Sequence, residues 1–238
     1  MRHYRLNSTH SLPFVILKLL RRLFQPTDLF EAQAREPLKL PLHFRPYCDK
    51  DHDSCIAVYR ENELYFPRGD IAEFAKSLRT AQRDLIVATL GDKVVGFGGI
   101  DVLAPDVALF CWGMVSPRYQ GRRIGTTLFL LRIAQLSCPP SGLYVVIFAL
   151  DYSMRFYARF GFEEVAEWKS SDGCVYPVGL MHVSEASFQK LKAALTIRGI
   201  HLDGNLVLRP NPEITCDIEQ SPSGRFSFSC KRVTKADP

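Results

Sequence analysis

The sequence predicts a mixed α/β domain, and three observations favour this class. Hydrophobic residues make up 47% of the 238 residues, which is ordinary for a globular protein and excludes a disordered chain. Strand-like and helix-like patterns follow one another between about residues 42 and 183, in the order β, α, α, β, β, β, α, β, α, β. The run 143–150 is apolar throughout, as in a strand that is covered on both faces and has parallel neighbours.

The first half of this pattern predicts a strand, two helices and a hairpin. The strand covers 42–45, and Asp49 or Asp51 can cap the first helix, which runs to about residue 62. Asp70 and Glu73 have the spacing of a capping box, which predicts a second helix. Branched residues on both sides of Gly91-Asp92 then predict a hairpin over 85–103.

The second half alternates strands with helices. A strand over 107–115 ends at Ser116-Pro117, and an all-round apolar helix follows over 124–137, which predicts burial of that helix. After the strand 143–150 we expect a helix over 151–160, strands over 163–168 and 175–182, and a helix over 184–195. Short strand-like runs lie at 205–208 and 225–230.

Composition shifts divide the chain into three parts. Two prolines in the stretch 34–41 place a boundary near residue 41. We therefore expect a basic amphipathic N-terminal extension over 1–40, a folded domain over 41–183 and a C-terminal helix with short strands over 184–238. The net charge is +5, and residues 1–27 contain five basic side chains and no acid. The body is thus neutral, so no nucleic acid partner is expected.

The sequence of the N-terminal extension is compatible with several roles. Its apolar run, 12–20, is about half the length needed to cross a bilayer, so no transmembrane helix is predicted. The extension can be a helix that packs on the body, an organelle transit peptide, a secretory signal or a helix in weak contact with a membrane surface. The seven cysteines form no C-x-x-C pair, which predicts neither a disulfide framework nor a zinc site and favours a reducing compartment. The expected location is cytoplasmic.

One loop has the composition of an anion site. After the strand 107–115 the chain reads S-P-R-Y-Q-G-R-R-I-G-T-T, so a basic loop with two glycines leads into a buried helix. Unpaired N–H groups at a helix start and the helix dipole both favour a bound anion. Arginine side chains there would add charge-assisted hydrogen bonds to a phosphate.

This loop resembles the acyl-CoA-binding signature of the GNAT superfamily of N-acyltransferases. Gln120 and Gly125 match that signature, whereas Arg123 replaces its first glycine. If that position needs a positive φ, an arginine there costs about 1 kcal/mol. The resemblance implies a GNAT-type, mostly antiparallel sheet that is flanked by helices and has two splayed parallel strands at the CoA site. The implied CoA-binding residues are Met114, Val115, Gln120, Gly121, Arg122, Arg123, Ile124, Gly125 and Thr126.

The resemblance extends to the segment 151–162, D-Y-S-M-R-F-Y-A-R-F-G-F. In the family, the tyrosine at the position of Tyr157 protonates the departing thiolate of CoA, and the pantetheine arm lies between the splayed strands, here 107–115 and 143–150. Without the resemblance, Tyr157 is equally a core aromatic residue. A backbone N–H where the strand 107–115 bulges or ends would meet the charge on the carbonyl oxygen, and Val115 is the candidate.

Many members of the family carry a glutamate on this strand as the general base, but 107–115 contains no acid. Asp106, Glu61, Glu63 and His182 are alternatives by residue type, and a chain of water molecules would also serve. The resemblance implies an N-acetyltransferase that uses acetyl-CoA as co-substrate, needs no metal and transfers the acetyl group to an amine in a ternary complex. The alternatives are a non-catalytic acyl-CoA-binding or regulatory module, and an adaptor that depends on residues 1–27.

Overall fold

The fold is a seven-stranded sheet with helices on both faces, followed by a separate two-stranded hairpin. The computed structural model describes residues 33–34, 37–65, 70–79, 84–169, 173–210, 214–221 and 226–232. Its strands are β1 (His43–Pro46), β2 (Asp84–Leu90), β3 (Lys93–Ala104), β4 (Val107–Val115), β5 (Leu143–Phe148), β6 (Glu163–Lys169), β7 (Val175–Val183), β8 (Ile214–Gln220) and β9 (Phe226–Arg232). Its helices are α1 (His52–Glu61), α2 (Asp70–Arg79), α3 (Ile124–Ala134), α4 (Asp151–Ala158) and α5 (Glu185–Ile197).

The large sheet has the strand order β1-β2-β3-β4-β5-β7-β6. Its neighbours pair antiparallel except β4 and β5, which pair parallel. A parallel pair needs a crossover, and α3 supplies it. The predicted mixed, mostly antiparallel sheet with one parallel pair is confirmed.

The two faces of the sheet bury different clusters. Side chains alternate along a strand, so Ile86 and Ala88 of β2 face one cluster and Val87 faces the other. The first cluster contains α3 almost entirely, with Leu128, Phe129 and Leu131 buried, which explains why this helix is apolar all round. The second cluster lies under α1 and α2. The sheet is therefore covered on both sides where β4 passes between the layers.

An ion pair fixes the start of α1 to the edge strand. Arg45 of β1 binds both carboxylate oxygens of Asp51, at 2.6 and 2.7 Å, and the backbone N–H of Cys48 donates to Asp51 Oδ2 at 2.9 Å. Burial alone would raise the pKa of Asp51, but these hydrogen bonds lower it overall. The same carboxylate raises the pKa of Arg45.

The C-terminal part differs from the sequence prediction. The run 205–208 is not a strand, whereas β8 pairs with β9 to form a hairpin that the sequence reading had only half identified. The hairpin packs its apolar side on Val107, Val146 and Leu180 of the large sheet. Cys216 of β8 is disulfide-bonded, so the expectation of no disulfide is wrong for this hairpin.

The predicted N-terminal extension lies mostly outside the described residues, and its readings stay predictions. Ala34 is buried in the first cluster, so this short part of 1–40 packs on the body. No helix in the described ranges has both the length and the apolar character that a membrane span requires.

Candidate functional site

A cleft of about 610 Å³ opens beside the end of β4, and residues of both α3 and α4 line it. It joins the predicted anion loop to the aromatic helix α4. The residues that line it are Lys39, Asn62, Tyr65, Phe97, Gly113, Met114, Val115, Tyr119, Gln120, Gly121, Arg123, Ile124, Gly125, Thr126, Leu128, Arg132, Tyr152, Ser153, Phe156, Tyr157 and Arg159. Every predicted site residue except Arg122 is among them.

The cleft lies where the pairing between β4 and β5 has ended. They pair only between Val107–Phe110 and Tyr144–Ile147, although β4 continues to Val115 and β5 ends at Phe148. Beyond Phe110, β4 continues without β5 as a paired neighbour, and the splaying of the strands 107–115 and 143–150 stays a prediction. The gap leaves backbone groups of β4 available to an extended ligand.

A bulge in β4 shapes the wall of the cleft. In its pairing with β3 the register shifts between Gly99, opposite Cys111, and Phe97, opposite Met114. Two residues, Trp112 and Gly113, thus face a single residue of β3, and Trp112 adopts the left-handed φ of 52°. Trp112 packs in the second cluster, beneath the helices α1 and α2, whereas Gly113 borders the cleft. The strand was predicted to bulge or end at Val115; it ends there and bulges earlier.

Two residues of the predicted anion loop have a left-handed backbone. Gly121 has a φ of 70° and Arg123 has a φ of 68°. Arg123 is the residue before α3 and therefore occupies the left-handed conformation that a glycine would adopt without strain. Since no side chain caps this helix, the N–H groups of its first turn remain available to a ligand. The departure from the family signature thus carries the backbone cost that the sequence predicted.

The adjacent arginines of the loop, Arg122 and Arg123, make different contacts. The guanidinium of Arg123 donates to the backbone carbonyl of Gln33 and lies 3.3 Å from the Gln33 side-chain oxygen. Arg122 is exposed and lies over the ring of Tyr119, with 5.8 Å between guanidinium carbon and ring centroid. Gln120 folds back and donates to the carbonyl of Val115 at 3.2 Å. Of these two adjacent arginines, Arg122 is therefore the one whose side chain is exposed to solvent.

Tyr157 lies at the other end of the cleft. Its ring packs edge-on against Phe129, Phe156 and Phe162, with centroid distances of 6.1, 5.0 and 5.4 Å. A Cβ added to Gly113 would lie 3.2 Å from the Tyr157 hydroxyl. Tyr157 thus combines the two sequence readings, because its ring belongs to the core and its hydroxyl faces the cleft.

Arg132 is a cleft residue that the sequence reading did not single out. It lies in the last turn of α3 and is only 2% exposed. Burial lowers the pKa of its guanidinium, while Tyr157 and Cys111 act in the opposite direction. The signal in the sequence was a cation inside an otherwise apolar helix, since such a position is seldom charged without a reason.

The acidic and histidine candidates for the general base lie elsewhere. Glu61 Oε2 accepts a hydrogen bond of 2.5 Å from the Ser116 hydroxyl, and Glu63 is exposed. Asp106 and His182 lie at the other end of β4, where Tyr144 begins the paired part of β5. None of the described residues that line the cleft is acidic or histidine.

The neighbouring Asn62 ties α1 to the rim of the cleft. This buried amide donates to the carbonyl of Val58 at 2.8 Å and to the carbonyl of Val115 at 3.3 Å. The end of β4 is therefore held by two side-chain amides, one from α1 and the other from Gln120. Both bonds position the strand where the anion loop begins.

Comparison with known proteins gives one family. Residues 81–164, roughly a third of the chain, match the family model for the acetyltransferase (GNAT) domain. This range contains β2 to β5, the anion loop, α3 and α4. No curated protein matches the chain significantly.

Solved structures with similar coordinates are distant in sequence. Ard1 from Thermoplasma volcanium is 18% identical, with 61% of this chain and 100% of that chain covered and a TM-score of 0.49. The ribosomal-protein-S18-alanine N-acetyltransferase from Escherichia coli is 18% identical, with 60% and 94% covered and a TM-score of 0.48. Arabidopsis thaliana NAA60 in complex with a bisubstrate analogue is 15% identical, with 59% and 97% covered and a TM-score of 0.48.

The family match falls on the strands, loop and helices that build the cleft. Residues 81–164 therefore match the GNAT acetyltransferase family to which the sequence analysis found a resemblance.

Proposed function

We propose that the protein is an N-acetyltransferase that transfers the acetyl group of acetyl-CoA to an amine by direct attack in a ternary complex. The observation that carries the proposal is one continuous cleft, whose lining includes both the loop 120–126, rich in glycine and arginine, and Tyr157. The parted strands β4 and β5 lie between the two ends and can accommodate the pantetheine arm.

The charges of the cleft suit CoA. Lys39, Arg123, Arg132 and Arg159 line it, and the described lining residues include no acid. Phosphate groups bind favourably to arginine side chains and to the N–H groups at the start of a helix. Arg122, just outside the cleft, adds another cation at the same end. We therefore place the phosphates of CoA at the loop 120–126 and the thioester near Gly113.

The chemistry can be written with every atom assigned. The neutral amine attacks the thioester carbonyl carbon, and the oxygen gains negative charge that a backbone N–H near the bulge or at Val115 can meet. The C–S bond then breaks, the hydroxyl of Tyr157 gives its proton to the sulfur, and the amine nitrogen loses a proton to water. Holding both reactants in one cleft supplies a large part of the rate.

A direct assay tests this proposal. The purified chain is incubated with acetyl-CoA and a panel of small amines and peptides, and the release of free CoA thiol is followed together with the mass of the acceptor. We expect acceptor-dependent thiol release and an acceptor that is heavier by one acetyl group. Thiol release without an acetylated product would indicate simple hydrolysis and would contradict the proposal.

A non-catalytic acyl-CoA-binding module is the alternative. The left-handed Arg123 and the lack of an acid among the described residues of the cleft favour it. Calorimetry with acetyl-CoA distinguishes the two, because the alternative predicts binding of acetyl-CoA but no turnover on any amine of the panel.

A further inference from the structure

Arg132 occupies a slot that is built around its guanidinium. Its Nε donates to the carbonyl of Leu128 at 3.3 Å and its Nη1 to the carbonyl of Gly99 at 3.2 Å. The guanidinium carbon lies 4.4 Å from the centroid of the Phe110 ring, which is the geometry of a cation–π contact. These contacts hold the planar group in one orientation.

Two glycines make room for this guanidinium. A Cβ on Gly98 would lie 2.9 Å from the guanidinium carbon of Arg132, and a Cβ on Gly113 would lie 3.4 Å from its Nη2. Any other residue at position 98 would therefore displace the arginine. The sheet therefore carries no side chain at the two positions, 98 and 113, that lie next to the guanidinium of Arg132.

Such a placement is costly unless the charge is used. A buried ion loses several kcal/mol of hydration free energy, and no carboxylate in the described part of the chain lies within ion-pair distance of Arg132. Arginine keeps its proton in proteins, so the cleft wall carries a fixed positive charge. The Tyr157 hydroxyl lies beside this charge, because a Cβ on Gly113 would lie 3.2 Å from the hydroxyl and 3.4 Å from Nη2 of Arg132.

The chemistry of the two groups fixes how they can interact. A guanidinium has five donors and no acceptor, so in a hydrogen bond between them the oxygen of Tyr157 can only accept from Arg132. The hydroxyl hydrogen then cannot point at Arg132 and is free to point into the cleft beside Gly113. This is the direction from which a departing sulfur would take it.

The position along α3 agrees with this assignment. Arg132 follows Ile124, the first residue of α3, by eight residues, which is about 12 Å at 1.5 Å per residue. A phosphate at the start of α3 and a reacting group beside Arg132 would thus be separated by about two turns of the helix. The pantetheine arm would lie along that interval.

We infer that Arg132 is the positioning residue of the proton donor: its guanidinium holds the Tyr157 oxygen, directs the hydroxyl hydrogen into the cleft and stabilises the negative charge left on that oxygen as the proton moves to the sulfur. The step adds no reactant, because the proton passes from Tyr157 to the CoA sulfur and returns from water. This inference rests on the proposed acetyltransferase function.

A double-mutant cycle tests the inference. Arg132→Met keeps the length of the side chain and removes its charge, and Tyr157→Phe removes the hydroxyl. We expect each single variant to lower kcat by about 10-fold to 100-fold, with the KM for acetyl-CoA within about 3-fold of wild type. The double variant should be no more than about 3-fold slower than the slower single variant, because both changes remove the same function, the delivery of a proton by Tyr157. Multiplied losses in the double variant would overturn the inference, and so would an Arg132→Met variant with full kcat.

Stability separates positioning from a structural role. Replacing a buried charge by an apolar side chain is often neutral or stabilising, so Arg132→Met should melt at or above the wild-type temperature while kcat falls. If Arg132→Met does not fold, Arg132→Lys serves instead. It keeps the charge without the planar fork, and its loss of kcat should vanish in the Tyr157→Phe background. A loss that persists in that background would overturn the inference.

The same measurements distinguish the inference from the proposed function. A wild-type chain that binds acetyl-CoA and turns over no acceptor contradicts the proposed function and, with it, any need for a positioned proton donor. Turnover by the wild type together with independent losses in the cycle contradicts only the role of Arg132.

Discussion

Replacing Tyr157 by Phe removes one hydroxyl and retains the rest of the side chain. The three edge-on contacts with Phe129, Phe156 and Phe162 belong to the ring and should persist. The loss falls on Arg132, because its guanidinium loses the neighbouring hydroxyl beside Gly113. An orphaned donor costs about 1–3 kcal/mol, and the lower end applies because water in the cleft can replace the hydroxyl. For a chain of this size, about 1 kcal/mol corresponds to a melting temperature lower by about 2–4 °C.

The expected kinetic effect of Tyr157→Phe is larger than the effect on stability. General acid catalysis contributes about 10²-fold to 10⁴-fold, but a thiol with an ordinary pKa of about 8.5 leaves fairly well without help. We therefore expect kcat to fall by about 10-fold to 100-fold near neutral pH. The deficit should shrink as the pH rises above the thiol pKa, because the thiolate then gains less from protonation.

The assay is kcat against pH for the wild type and Tyr157→Phe, with melting curves at each pH. Tyr144→Phe is the matched control, because Tyr144 packs against His182 and Phe226 and lies outside the cleft lining. The control should keep full kcat. Unchanged kcat in Tyr157→Phe, or a deficit that is equal at every pH and follows the loss of stability, would refute the role of Tyr157 as acid.

Three further predictions concern the loop, the edge of the sheet and the bulge. In calorimetry at fixed salt, Arg122→Ala with Arg123→Ala should weaken CoA binding about 10-fold for each lost charge-assisted bond, mostly through Arg122; unchanged affinity would place the phosphates elsewhere. Asp51→Asn should lower the free energy of unfolding at neutral pH by about 3 kcal/mol. The lowered pKa of Asp51 makes this contribution complete above about pH 4 and lost as the pH falls through that pKa, so denaturant curves that differ equally at pH 7 and pH 2 would contradict it. Gly113→Val should leave the circular dichroism spectrum intact and lower kcat about 100-fold by displacing the reactants; wild-type kcat would show that the acetyl group lies elsewhere.

The strands and the loop of the site could be predicted because their signals are local. Val107–Val115 has the predicted bounds, since its apolar run is closed by a turn on one side and by Ser116-Pro117 on the other. The predicted anion loop follows directly from the glycines and arginines after this strand. Tyr157 could be placed on a helix but not given a neighbour, because its contact with Arg132 joins two helices that are far apart in the sequence.

The features that escaped prediction depend on distant partners. The bulge at Trp112 is defined by the pairing of β4 with β3. No pattern within the sequence of β4 alone reveals such a shift of register against another strand. In β8, Cys216 and Ile218 alternate with Asp217 and Glu219. The sequence therefore did contain the alternation of apolar and polar residues that is typical of a strand. The lack of a C-x-x-C pair argued against a disulfide framework, yet Cys216 is disulfide-bonded.

The bulge in β4 also has a consequence for how the domain tolerates changes in length. In a regular strand, residues two apart face the same side, so Phe110 and Trp112 would both point toward α3. The extra residue inverts this phase: Phe110 stays in the first cluster, Trp112 turns to the second, and a glycine takes its place at the cleft. Deleting one residue here would restore the regular alternation and move the indole of Trp112 into the part of the cleft that Gly113 now borders. The free volume of the cleft beside Gly113 therefore depends on the extra residue of the bulge. A single insertion or deletion in β4 would either fill this volume with a side chain or leave it open, and would not change it by small steps.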